Sequence, residues 1–158
     1  MTEPRALGLD IGERRVGVAV SDSMGIAASP VEVIDVTTPD AVASRIAWLA
    51  KDRGVALLVV GMPFNMDGSE HKTAAVIRAR AELCARKAGL PIEYVDERLT
   101  TVEAGRRLWE AGLTHKNRKE RVDRVAAALI LQSWMQQREA AARRAKLAEE
   151  DAKRAEEE

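Results

Sequence analysis

The chain has one cysteine in 158 residues, and nowhere does it approach the roughly 18 consecutive apolar residues that a bilayer-spanning helix needs. A lone Cys84 excludes an internal disulfide and fits a reducing cytoplasm. It falls in a helical apolar stretch and reads as a buried thiol. The opening Met1–Arg5 is polar and runs straight into a strand pattern, so no signal peptide is expected and a cytoplasmic location is. An excess of either charge is also missing, since 25 Lys and Arg balance 25 Asp and Glu. The balance is uneven along the chain. Residues 139–158 carry seven acids and five bases, a net of −2, which leaves +2 on the rest. Neither value by itself demands a polyanionic partner.

What is present is ordinary for one globular domain: 46% hydrophobic residues, 32% charged, and enough length for a normal core. Residues 6–10 read as a buried strand, Gly12–Arg15 as a polar turn, and Val16–Val20 as a second strand. A third strand follows around Ile26–Ile34, so the chain opens with an antiparallel meander. Thr38-Pro39-Asp40 then starts a helix that Gly54 stops, with Val42, Ile46 and Leu49 on one face. Val55–Val60 is a continuous apolar run, as in a strand covered on both sides. Ser69 is placed to cap a helix reaching about Ala88, and Ile92–Val95 is a further strand. Thr100 and Glu103 have capping-box spacing for a helix to about Ala111, and a last helix covers about Lys119–Gln137. The pattern predicts an α/β fold: a five-stranded mixed sheet, meander first and parallel strands after, with helices on both faces. Residues 1–138 form the domain. Residues 139–158, rich in Ala, Glu, Lys and Arg, form a charged extension, helical but fraying, or disordered.

Three acids fall where such a fold would gather them. Asp10 closes the first strand, Glu97 follows the strand Ile92–Val95, and Asp123 heads the stripe Ala127, Ile130 and Trp134 on the last helix. A turn-forming Asp, a solvated loop acid and a salt-bridged helix acid are the plain alternatives. Asp96 can replace Glu97, because strand side chains alternate. Carboxylates brought together repel unless cations hold them, and hard oxygen donors suit Mg²⁺ or Mn²⁺. Around Asp123 the stretch His115–Arg124 holds five bases against two acids, a candidate phosphate strip in which Lys119 and Arg121 stand out. Arg98 is a further phosphate candidate. The loop Gly61–Ser69 joins Phe64 and Met66 to Asn65 and Ser69, which suits stacking on unpaired bases beside an anion-binding turn. Burial of Met62 and Phe64 in the core is the competing reading for those two. His71 and His115 take no role.

Leu9-Asp10-Ile11-Gly12 with Val16-Gly17-Val18-Ala19, Gly61-Met62-Pro63 with Asn65–Glu70, Asp96–Thr101, and Lys119 with Val122-Asp123 and Ala126-Ala127 together resemble the YqgF family, also called RuvX. The resemblance covers roughly residues 5–137. It implies an RNase H-like fold similar to the junction resolvase RuvC, with Asp10, Glu97 and Asp123 as metal-binding catalytic carboxylates. It also implies a nuclease acting on structured RNA or branched DNA, either in 5′-end maturation of the small-subunit ribosomal RNA precursor or in four-way junction resolution. Arg98, Lys119, Arg121, Asn65 and Ser69 are the expected substrate contacts. A monomer and a homodimer both stay open. Two other readings compete. An actin- or sugar-kinase-like phosphotransferase shares Asp-x-Gly, but the chain leaves no room for its second domain. A binding module with vestigial acids would hold nucleic acid without turnover.

Overall fold

The computed structural model describes residues 4–25, 27–96 and 115–157, with side chains in the last segment from Val125 onward. Eight elements follow one another: β1 (Ala6–Ile11), β2 (Arg15–Ser21), β3 (Ala28–Asp35), α1 (Pro39–Arg53), β4 (Leu57–Met62), α2 (Ala74–Ala88), β5 (Ile92–Asp96) and α3 (His115–Glu157). The strands make one sheet in the order β3-β2-β1-β4-β5. β1, β2 and β3 pair antiparallel, while β4 and β5 add on in parallel with β1. This is the expected meander followed by parallel strands, and β1 is its central strand.

Tight turns make the meander possible. The Gly12 amide donates to the Arg15 carbonyl at 2.9 Å and closes the β1–β2 hairpin. A Cβ on Gly12 would stand 2.8 Å from that same oxygen, so the hairpin itself is what approaches the glycine. β3 starts at Ala28, later than its apolar pattern suggested, and its register with β2 shifts between Val18 and Ala19, where Ala19 faces Pro30. A proline cannot donate to a ladder, and an edge strand tolerates that.

Both faces of the sheet are covered. Leu7, Leu9, Val18, Leu58 and Val60 pack against Val42, Ile46, Ile77 and Ala81 of α1 and α2. Ala6, Ala19, Val59 and Val95 pack against Ala127, Ile130, Leu131 and Trp134 of α3. Helix α1 has the expected ends: Thr38 Oγ1 accepts from the Ala41 amide at 3.1 Å, and Gly54 sits at φ 64°.

Three boundaries differ from the sequence reading. β4 runs on through Gly61 and Met62, because Met62 is a buried core side chain and not part of the loop. Helix α2 starts at Ala74, not at Ser69, since the Ser69 amide and hydroxyl are both taken by the Asp67 carboxylate. Helix α3 begins at His115, before the expected Lys119, and joins the charged extension without a break as one helix to Glu157, exposed throughout from Gln136. The helix expected over Thr100–Ala111 lies outside the described residues.

Candidate active site

Strand β1 is buried along its length except at Asp10, which is half-buried. Strand alternation puts Ala6, Gly8 and Asp10 on the face that α3 covers, and Leu7, Leu9 and Ile11 on the other. The two strands flanking Asp10 offer glycine. Its antiparallel partner is Gly17 on β2. On β4, one step past the Leu9–Val60 pair, stands Gly61, itself paired with Val95 of β5. The carboxylate therefore has no side chain on either lateral neighbour, which leaves room for ligands to reach it. Composition and periodicity do not reveal this, because cross-strand pairing is non-local.

Helix α3 runs antiparallel to β1. Its Trp134, Met135 and Arg138 border a groove with Pro4 and Ser21 at the start of β1, while Ala127 and Leu131 press on Gly8. A Cβ on Gly8 would lie 2.5 Å from Leu131 Cγ and 3.0 Å from the Ala127 carbonyl, so only glycine permits this approach. From that contact, Asp10 lies two residues further along β1, about 6.6 Å. Position 123 lies one turn nearer the start of α3, about 6 Å from Ala127 in the same direction. The helix backbone thus carries residue 123 toward the sheet edge that bears Asp10, and the stripe it heads (Ala127, Ile130, Trp134) is buried as expected. The side chains of Asp123, Lys119 and Arg121 lie outside the described residues.

Strand β5 ends at the same edge. Glu93 and Val95 face α3: Trp134 Nε1 donates to Glu93 Oε2 at 2.7 Å, and Val95 joins the α3-side core. Tyr94 faces the other way, under the Arg78 guanidinium of α2, and alternation sends Asp96 to that opposite face as well. Asp96, paired in register with Met62, is therefore poorly directed to share a ligand with Asp10. Glu97 has the sequence parity of Glu93 and Val95. Glu97 and Arg98 themselves lie outside the described residues. Among the described residues no group of three acidic, histidine or cysteine side chains forms a metal cage.

The loop after β4 reaches the same edge. Asn65 Nδ2 donates to Ser69 Oγ at 3.0 Å and to the Glu70 carbonyl at 3.2 Å. Ser69 in turn donates to Asp67 Oδ1 from its amide (2.9 Å) and hydroxyl (2.6 Å), and these bonds hold the Asp67 carboxyl below its usual range. Asn65 and Ser69 are thus brought together, in contact with each other. His71 sits in the turn before α2, its Nδ1 against Thr73 Oγ1 at 2.9 Å.

A mixed five-stranded sheet in the order β3-β2-β1-β4-β5, with helices on both faces, is an RNase H-like fold. Solved structures agree. The chain superposes on Thermus thermophilus RuvC in complex with a Holliday junction substrate, with TM-score 0.52, 16% identity, and coverage of 81% of this chain and 92% of that one. A second structure of the same protein gives TM-score 0.50 at 15% identity, covering 80% and 92%. Residues 4–137 match the family model RuvX, described as Holliday junction resolvase, and the chain belongs to that family. Among curated relatives, a protein of Anaeromyxobacter sp. strain Fw109-5 is 45% identical over 136 residues, 86% of this chain and 99% of the relative. One from Picosynechococcus is 44% identical over 138 residues, 87% and 96%. Both carry the provisional name pre-16S rRNA nuclease.

Proposed function

We propose that the protein is a metal-dependent nuclease that hydrolyses phosphodiester bonds in the 5′-end processing of precursor 16S ribosomal RNA. The observation that carries this is Asp10: a half-buried carboxylate on the central strand, flanked by glycines, at the end of the sheet where β1, β4 and β5 finish. With glycine on both lateral neighbours, the carboxylate can be reached by a cation at the end of the sheet. The names of the relatives and the family description support the substrate class.

Asp10, Glu97 and Asp123 are the proposed ligands. A hard, all-carboxylate donor set fits Mg²⁺ or Mn²⁺. Two such ions, when bound, supply an activated water and neutralise charge on the leaving oxygen. The chain's own contribution is rigidity and placement. Asp10 is fixed by hydrogen-bonded strands on both sides, and Gly8 seats α3 so that residue 123 approaches the same edge. Arg98, Lys119 and Arg121 are proposed to hold flanking phosphates. Asn65 and Ser69 spend their side chains on each other and on Asp67, so their proposed part in substrate binding is to shape the loop that meets the nucleic acid.

The test is Asp10→Asn, which keeps the side chain's size and removes its charge. Cleavage of a precursor 16S RNA in Mg²⁺ or Mn²⁺ is expected to fall at least ~100-fold with folding intact. Wild-type cleavage by a folded variant would overturn the proposal. The family description favours four-way DNA as the second substrate, so a junction is assayed beside the RNA under the same metals. Tight, salt-sensitive binding of both without turnover would mark a binding module instead.

A further inference from the structure

Met66 is 97% exposed, in a loop whose backbone is hydrogen-bonded at its base and across its tip. It lies at the tip of the loop after β4, four residues beyond Met62, within about 13 Å of that strand end even when fully extended. The base of the loop is closed by a bridge between Phe64 and Glu70, and by the His71 amide donating to the Pro63 carbonyl at 3.1 Å. Across the tip, the Asn65 amide donates to the Ser69 carbonyl at 2.7 Å and the Gly68 amide to the Asn65 carbonyl at 2.9 Å, with Gly68 at φ 88°. Two anchors tie the loop to the body. Phe64 packs on the core, and Glu70 takes a two-pronged ion pair from Arg78 of α2, which also lies over Tyr94 of β5. Met62 ends β4 in the core and Phe64 packs on that core, while Met66 at the loop's tip packs on neither.

A rigid loop that holds a methionine in water forgoes the stabilisation its burial would bring, so the side chain is better explained by what it meets on binding. The other exposed large apolar side chains differ. Trp48 lies beneath the Arg45 guanidinium at 4.6 Å, and Met24 borders the groove at the opposite edge of the sheet. Tyr94 lies under the Arg78 guanidinium, and Val76 and Leu147 sit on the helices α2 and α3, whereas Met66 is carried by the loop that leaves β4 at the end of the sheet bearing Asp10.

We infer that Met66 is a wedge that inserts against a base of the substrate next to the scissile phosphate, holding that step unstacked while the backbone lies over Asp10. A thioether is soft and polarisable, rewards contact with the face of any base, and requires no particular sequence. The inference rests on the nuclease reading above and adds a substrate-distorting residue to it.

The experiment maps the wild-type cleavage site on a precursor 16S RNA fragment, then places 2-aminopurine singly at positions flanking it. Binding is followed by anisotropy and unstacking by 2-aminopurine fluorescence, with Ca²⁺ replacing the reactive metal. Wild type is expected to raise the fluorescence at one flanking position. Met66→Ala should abolish that rise, lower kcat/KM by roughly tenfold, and leave melting unchanged, since the side chain touches little. Met66→Leu should restore both signals. If Met66→Ala matches wild type in fluorescence and rate, the wedge is overturned while the nuclease stands. If wild type itself binds and does not cleave in Mg²⁺ or Mn²⁺, the nuclease reading falls and the wedge with it.

Discussion

At Gly8 a missing side chain decides how a helix sits. Gly8→Ala would drive a methyl group into Leu131 and the Ala127 carbonyl, and overpacking of this kind costs about 1–3 kcal/mol. The same displacement would move residue 123 away from Asp10. Urea denaturation should therefore show lower stability, and kcat/KM should drop even where the variant is fully folded. Cys84 gives a second residue-scale prediction. Burial pushes its thiol up to about 11 from 9.0, so at pH 8 it should react with a thiol reagent only as fast as the protein unfolds. Rapid native-state labelling would show that the α1–α2 core is looser than its packing implies. At Glu32, bonding to Arg45 at 2.8 and 2.7 Å lowers the carboxyl pKa. Its stabilisation is then present above the unfolded pKa near 4.5 and is lost as pH falls from there through the lower folded value. Exposed pairs contribute at most ~1 kcal/mol, so Glu32→Gln should slightly flatten the acid limb of a stability–pH curve. In the sequence, Asp10 could be picked out because an acid at the end of an apolar run is locally anomalous. Its glycine neighbours Gly17 and Gly61 could not, since they meet it only through pairing across strands.

Elements whose ends carry their own chemistry were legible. Helix α1 has Thr38, Pro39 and Gly54 at its limits, and the structure uses all three as expected. Thr38→Ala should cost ~1 kcal/mol, read from a denaturant midpoint. Helix α2 was misplaced at its start because Ser69 had two possible employers, and the nearer Asp67 won. At the end of α3 the sequence left helix and disorder both open. Beyond Arg138 no apolar stripe marks the helix, but alanine-rich sequence has high propensity, and the pairs Glu139–Arg143 (2.9 Å) and Glu149–Lys153 (3.3 Å) bridge successive turns. A chain ending at Arg138 should lose helical circular-dichroism signal while its melting temperature and cleavage rate stay close to wild type. A large fall in melting temperature would mean that the extension packs on the body.

Taken as a whole, the sheet sorts its edges. The C-terminal ends of β1, β4 and β5 carry Asp10, the Met66 loop and the approach to Glu97. The opposite edge holds a groove of about 420 Å³ between Pro4, Ser21, Met24, Trp134 and Arg138. Substitution there, such as Met24→Ser, should leave cleavage of the RNA unchanged, measured as kcat/KM. No helix among the described residues is long and apolar enough to cross a membrane. The exposed stretch of α3 from 139 to 157 has a further consequence for how the molecule travels in solution. At 1.5 Å per residue it is a rod about 28 Å long standing off a compact body. Such an outline raises friction without adding mass, so a single copy should elute early from a sizing column and pass for a pair. Light scattering, which weighs particles whatever their shape, is the measurement that separates the two.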